Sequence, residues 1–517
     1  MKRTAVEWLV EALRERGVDW MAALCGHGLD PLFDAATRAG IRLIDTRNEQ
    51  TAAYIAEGYG RLTGRPGVCA TSSGVAVANA LTGVMNAWFD QAPMLYISGS
   101  ANLPSLGLGC FQDLDQAGVV RPVSKYSHLV DVPARIVQMF DEAWQAACAP
   151  PRGPAHLMIP MDVQTAEVDR AALLRTNAIP AAPGVNAEAV DAAVRELRAA
   201  ARPLIIAGSE LHYSGEGADL MAFAESAGIP VQTPIWDRGI CPRHSEAFVG
   251  VIGAASGDPG LLADSDCIVL AGAAPDYRVA YLQTGAKVIR LDRGWKKMRE
   301  AYDWPRSSEW LEDARRRRTR FTERIRAGAE AQRTEGRAHA VDVIDAIEKT
   351  LPLEATLLID GGSIGQWAHQ LLCHRRYPGY WLPCGRSGVV GFGIGGAMAA
   401  RLADEHRPVL LLSGDGAFTF NIADIECASR QGLSFVALVA DDQCWGITHS
   451  GHLRQFGHGM ATQLGAIPFD QLARSLGARG VRVDRREEIA PALHSALGSG
   501  GVTVIHVPIV GGNPGTN

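Results

Sequence analysis

Short runs of apolar residues recur along this chain, and between them apolar side chains return every three or four positions. Runs at 20–25, 41–44, 67–71 and 94–98 form a first series, 203–208, 267–272 and 287–292 a second, and 356–360, 409–413, 435–440 and 502–508 a third. A continuous apolar run of this length, bounded by turn residues, is the pattern of a strand buried on both faces. In the intervening stretches Val6, Leu9, Val10 and Leu13 sit at helical spacing, and 51–62 and 422–429 read as helices. Such alternation predicts an α/β protein with doubly wound parallel sheets. Polar or Pro-rich stretches at 166–187 and 312–337 separate the series, so three domains are predicted, at 1–168, 188–310 and 340–512. The second separator carries Arg315, Arg316, Arg317 and Arg318 in a row and reads as a solvated helical linker.

Composition narrows this picture by exclusion. A chain of 517 residues exceeds what one core holds. The net charge of −6 leaves no basic footprint for nucleic acid. Arg3, Glu7, Glu11, Arg14, Glu15 and Arg16 punctuate the first apolar stretch, which therefore reads as an amphipathic helix and not as a secretory signal. The longest nearly uncharged apolar stretch, 388–400, is Gly-rich and too short to span a bilayer. The ten cysteines show no CxxC pair and no metal-ligand spacing. A cytoplasmic protein with free thiols is the expectation.

Chemistry enters in the last third. Residues 409–417, Val-Leu-Leu-Leu-Ser-Gly-Asp-Gly-Ala, read as a buried strand opening onto a tight Gly-Asp-Gly turn. Glycines let the backbone approach a phosphate closely, and an exposed carboxylate between them suits a hard cation. The helix at 422–429 and the strand at 435–440 come next, and that strand ends at Asp441-Asp442. A strand–helix–strand unit brings both strand ends to one edge of a sheet, where open α/β sheets bind ligands. Asp415 and Asp442, 27 positions apart, are therefore expected to face one ion. Gly391, Gly393 and Gly396 also fit a GxGxxG dinucleotide fingerprint. The strand ahead of them is only Val389-Val390, so these glycines are better read as close helix packing.

The Gly-Asp-Gly motif, the unit after it and the acidic pair before Gln443-Cys444-Trp445-Gly446 resemble the signature of thiamine diphosphate-dependent enzymes, of the acetolactate synthase-like group of 2-oxo acid decarboxylases and carboligases. In that family the pair is Asn-Asn, so Asp441-Asp442 is a departure. The resemblance implies Mg²⁺ held by Asp415, Asp442 and the main-chain carbonyl of Cys444. It implies thiamine diphosphate contacts at Gly362, Ser363, Gly388, Val390, Gly414, Asp415, Gly416, Ala417, Asp442, Trp445, Gly446 and Ile447. Val390 falls where a bulkier Met, Leu or Ile usually props the cofactor. In the first third, residues 47–64, starting Arg47-Asn48-Glu49, resemble the family segment that places Glu49 at the catalytic glutamate. A carboxyl group bonded to the cofactor's aminopyrimidine promotes loss of the proton on thiazolium C2. Residues 109–116 resemble the stretch that sets Phe111 and Gln112 near the reacting carbon.

For function, the resemblance implies a small-molecule carbonyl substrate and self-association, a homodimer at least and a tetramer as an option, with the active site between chains. Phe111, Gln112 and residues 71–73 bring no histidine, which favours capture by an acceptor carbonyl over protonation, hence a carboligase. A 2-oxo acid decarboxylase and a C–C lyase or hydrolase are the alternatives. His27 and His449 read as loop histidines. Some relatives bind FAD in the middle domain. Here Gly208-Ser209-Glu210 and residues 272–275 are too generic to claim it, and a flavin-linked oxidase or a silent thiamine-binding protein is the remaining class.

Overall fold

The apolar runs become strands, and the strands build three parallel sheets. A computed structural model describes residues 2–176, 184–240, 244–304, 308–373 and 380–514. A short strand β1 (Lys2–Thr4) precedes the first sheet, which holds β2 (Trp20–Leu24), β3 (Arg42–Asp45), β4 (Gly67–Thr71), β5 (Met94–Ser100), β6 (Tyr126–Leu129) and β7 (Pro154–Pro160). Its order is β3-β2-β4-β5-β7-β6, and β1 pairs antiparallel with β8 (Glu167–Asp169) beside it. The middle sheet, β9 (Pro203–Ala207), β10 (Val231–Pro234), β11 (Phe248–Ile252), β12 (Cys267–Ala271) and β13 (Lys287–Arg290), runs β11-β10-β9-β12-β13. The last comprises β14 (Ala338–His339), β15 (Thr356–Asp360), β16 (Trp381–Pro383), β17 (Val409–Gly414), β18 (Val436–Asp441), β19 (Arg479–Arg482) and β20 (Thr503–Val510). Its main path is β16-β15-β17-β18-β20, with β14 and β19 both on β20, so the first and last sheets share one winding.

The chain folds into two compact units. One comprises Met1–Pro183, Ile394–Glu405 and Asn421–Leu433; the other comprises Gly184–Gly393, His406–Phe420 and Ser434–Asn517. The middle and last sheets thus belong to one unit, and two late segments belong with the first sheet. The second of these segments clamps the loop ahead of Glu49. Asp424, fully buried, accepts from the Arg47 N–H and the Thr51 hydroxyl, each at 2.6 Å. Arg47 pairs with Glu426 at 2.7 Å, and Arg430 with Asp45 at 2.6 Å. Within the same unit Gly395 lies so close to the helix Glu49–Thr63 that an added Cβ would come 2.7 Å from the Tyr54 Cβ. That close approach is the helix-packing role expected for this glycine run.

The arginine-rich stretch departs from expectation. It forms a helix, Glu309–Gln332, but Trp310, Leu311, Ala314, Phe321, Ile325 and Ala329 are buried along it. The charged side chains cover this apolar face instead of standing free of it. Arg317 lies over the Trp310 ring at 5.3 Å and bonds Asp313 and Asp264.

Candidate active site

Strands β17 and β18 pair in parallel up to Gly414↔Ala440, so Asp415 and Asp442 emerge side by side just past their ends. The expected open turn is absent: β17 runs straight into a short helix, Asp415–Thr419, and Asp415 is only 4% exposed instead of an exposed carboxylate. Burial, then the neighbouring Asp442, pushes the Asp415 carboxyl up to about 7. Burial also raises Asp442, to about 6, although the Cys444 amide opposes it. Two acids held this close keep a proton between them unless a cation replaces it. Burial pushes the Cys444 thiol up to about 11. Among the described residues no group of three or more His, Cys, Asp or Glu could hold a metal by itself. Two carboxylates completed by phosphate oxygens are the arrangement Mg²⁺ uses. Cation binding is therefore expected to release protons near neutral pH and to weaken as pH falls through about 7, more steeply below about 6. Calorimetric titrations of Mg²⁺ with thiamine diphosphate, in buffers of different ionisation enthalpy, measure both.

The acids open onto a cavity of about 300 Å³. Gly362, Ser363, Gly388, Val390, Gly414, Asp415, Gly416, Ala417, Asp442, Cys444, Trp445, Gly446 and Ile447 all line it, so the structure brings every residue expected on the diphosphate side to one place. The helices Ser363–Leu371 and Gly446–Phe456 start at its wall without side-chain caps. Their first N–H groups are thus left for an anion. The Ser363 hydroxyl is buried and has no hydrogen-bond partner among the described residues. The two helix starts approach so closely that a Cβ on Gly446 would come 2.1 Å from Ser363 Oγ and 3.0 Å from Asp442 Oδ2. An orphaned hydroxyl, two uncapped helix starts and two adjacent carboxyl groups whose pKa values burial raises fit a diphosphate bridged by a divalent cation.

Groups that sequence reasoning missed hold this arrangement from behind. Asp441 turns away from Asp442: its carboxylate accepts the Gln443 N–H at 3.1 Å and lies 2.8 Å from His506 Nε2 on β20. Asp360, at the end of β15, accepts from the N–H groups of Gly391 and Gly393 at 3.2 and 2.7 Å and so shapes the turn carrying Gly388 and Val390. Asn513 donates to the Gly446 carbonyl at 3.0 Å. An acid closing an apolar strand was the available signal for Asp360; nothing local marks His506 or Asn513.

In the other unit, Glu49 begins the helix Glu49–Thr63, capped by Asn48, whose side chain accepts the Gln50 N–H at 2.9 Å. Glu49 is half-buried and accepts from Asn79 at 3.0 Å. Burial raises the Tyr96 hydroxyl on β5, and the Glu49 charge is among the lesser causes acting in the same sense. The loops after β2 and β4, at the point where this sheet's winding reverses, carry His27 and Ser72-Ser73. The His27 carbonyl accepts from Ser72 Oγ at 2.8 Å, Ser73 Oγ donates to Gln112 Oε1 at 2.8 Å, and the Phe111 ring meets the His27 ring edge-on at 5.5 Å. Gln112 sits at φ 57°, a left-handed conformation that places its side chain on Ser73. Phe111 is 68% exposed. His27, expected to be a local loop residue, thus joins Phe111 and Gln112. His449 instead bonds Thr462 at 2.7 Å and lines a separate cavity beyond Asp442.

At the reversal point of the middle sheet, where such folds take nucleotides, the backbones that follow β9 and β12 approach each other closely. Gly208 N–H donates to the Ala271 carbonyl at 2.8 Å, and a Cβ on Gly208 would come 2.3 Å from the Gly272 carbonyl oxygen. A larger cavity of about 740 Å³, lined by His244, Arg315, Arg318 and Glu348 among others, contains none of the residues expected to bind the cofactor or metal. No helix among the described residues is long and apolar enough to cross a membrane.

Comparison with known proteins agrees with this geometry. Residues 3–119 match the family model "Thiamine pyrophosphate enzyme, N-terminal TPP binding domain", residues 190–305 that of the central domain, and residues 360–507 that of the C-terminal TPP binding domain. The chain is 28% identical to the acetolactate synthase large subunit of Mycobacterium tuberculosis, over 96% of this chain and 94% of the relative. It is 28% identical to human 2-hydroxyacyl-CoA lyase 2, over 95% and 87%. It is 26% identical to the acetolactate synthase isozyme 1 large subunit of Escherichia coli, over 98% and 94%.

Proposed function

The chain belongs to the thiamine pyrophosphate enzyme family, in its acetolactate synthase and 2-hydroxyacyl-CoA lyase group, and from that premise we propose that it joins or cleaves a carbon–carbon bond beside a carbonyl, with Mg²⁺ as the metal. The observation that carries this reading is the convergence of Asp415 and Asp442 with the uncapped helix starts at Ser363 and Gly446. Thiamine diphosphate held there supplies an electron sink for a carbonyl carbon. Asp415, Asp442 and the Cys444 carbonyl would hold the cation. The N–H groups near Ser363 and Gly446 would bind the diphosphate, and Val390 would support the ring. Glu49 would hold a proton at the aminopyrimidine, fixed in place by Asn79 and by the clamp on its helix start.

Carboligation is the favoured direction because Phe111, Gln112 and residues 71–73 themselves supply no histidine. A second reading, cleavage or decarboxylation, draws on His27: its ring lies against Phe111 and offers a proton donor that an acceptor carbonyl would not need. Incubating the protein with Mg²⁺, thiamine diphosphate and 2-oxo acids, acyloins and aldehydes, with products read by mass spectrometry, separates the two. Longer acyloins mean carboligation, and aldehydes alone mean cleavage. No turnover of any of them would sink both.

The working unit on this reading is a homodimer, with Glu49 and the diphosphate residues contributed by different chains. The helix Val75–Phe89, which carries Asn79, exposes Val75 at 70%, Met85 at 38%, Trp88 at 40% and Phe89 at 44%. So large an apolar stripe beside Glu49 suits a second copy of this chain. Met85→Lys with Phe89→Lys is expected to weaken dimerisation by roughly 30-fold or more. Sedimentation velocity over a dilution series should show it, and activity should fall with the dimer fraction.

A further inference from the structure

The cofactor cavity has one wall that comes from the middle sheet. Trp236, on the loop after β10, lines it together with Cys384, Gly388, Val389 and Val390. Its backbone sits at φ 71°, in the left-handed region, where a bulky side chain is an outlier. Such a conformation persists only where the surroundings over-determine it, and it gathers at functional sites. The surroundings here do so on both sides. The buried Arg278 guanidinium donates from Nη1 to the Ile235 carbonyl and to the Asp237 carboxylate, each at 2.7 Å. Asp237 also accepts the Ser209 N–H at 2.9 Å, and Ser209 Oγ accepts the Arg238 N–H at 3.1 Å. The Gly239 N–H then donates to the carbonyl of Trp381, the first residue of β16, at 3.0 Å. These bonds flank Trp236 on both sides, and what they hold still is its backbone.

We infer that Trp236 is a specificity-determining residue, an indole wall that limits the size of the substituent on the substrate's reacting carbonyl. The inference deepens the proposed function and rests on it. A cavity of about 300 Å³ is at the small end for ligand sites, and it would have to take the diphosphate end of the cofactor as well. The room left beside Trp236 and the short Val390 suits a short substituent. Truncating the indole opens that side without touching the acids or the helix starts.

The test compares wild type with Trp236→Phe and Trp236→Ala on 2-oxo acids carrying methyl, ethyl and phenyl substituents. The matching acylphosphonates are bound calorimetrically to the cofactor-loaded protein. Trp236→Ala is expected to raise the phenyl-to-methyl ratio of kcat/KM at least about tenfold, as pocket-size changes do, with Trp236→Phe in between. The phosphonate affinities should shift the same way, while cofactor affinity stays within about twofold, since no diphosphate contact is lost. An unchanged ratio in both variants overturns the inference. So does a loss of cofactor affinity with no change in preference, which would make the indole a cofactor wall. Should the Ala variant fail to fold, Trp236→Leu carries the same comparison. If wild type neither turns over nor binds any of the series, the proposed function itself fails, and that is distinct from turnover with an unmoved preference.

Discussion

Glu49→Gln is expected to lower turnover and cofactor C2 proton exchange by roughly 10²–10⁴-fold, the range general acid–base groups contribute, with cofactor affinity close to wild type. Glutamine keeps the size and one carbonyl oxygen, so the Asn79 hydrogen bond and the helix start clamped by Asp424 can survive. What it removes is the proton the carboxyl group holds. Exchange at the wild-type rate would show that another group does this work and that Glu49 is only the first residue of a helix. Thermal unfolding of the variant guards against a trivial outcome: a preserved transition with lost exchange isolates the chemistry.

Asp415→Ala is expected to remove Mg²⁺-dependent binding of thiamine diphosphate. Losing even an outer partner of a metal ligand costs roughly 10–100-fold in affinity, and a ligand should cost more. Asp442 separates this account from a merely acidic strand end. Asp442→Asn keeps an oxygen and removes a charge beside the diphosphate, so the site should still assemble; Asp442→Leu should not. Asp441→Asn should change metal binding little, because Asp441 already serves the Gln443 amide and His506 on the far side. Metal titrations of the set decide, and a Leu variant that binds like wild type would remove Asp442 from the site.

Much of this was legible because buried strands announce themselves. Residues 409–412 and 435–440 are unbroken apolar runs, and their neighbouring ends follow from the parallel winding. Strands at edges were not: β19, Arg-Gly-Val-Arg, and β16, of three residues, carry too little apolar pattern to distinguish from loop. Asp415 could be read as a ligand but not as buried, since whether a strand ends in a turn or a helix is decided by what packs over it. The helix Glu309–Gln332 was misjudged because its arginines hide an apolar face that only the fold supplies. Trp236 was out of reach altogether. No local pattern puts a tryptophan in a left-handed conformation; Arg278, 42 positions on, imposes it.

The interleaving of the two units has a consequence for how the chain is made. Met1–Pro183 leave the ribosome first, yet their unit is complete only with Ile394–Glu405 and Asn421–Leu433. At about 5–20 residues per second, the intervening stretch of about 250 residues takes roughly 12–50 s to synthesise. Through that interval the helix bearing Glu49 lacks Asp424 and the segment around Gly395. The nascent N-terminal portion therefore waits without the two segments that complete its unit. Fragments ending near residue 183 should aggregate unless the two late segments are supplied in trans.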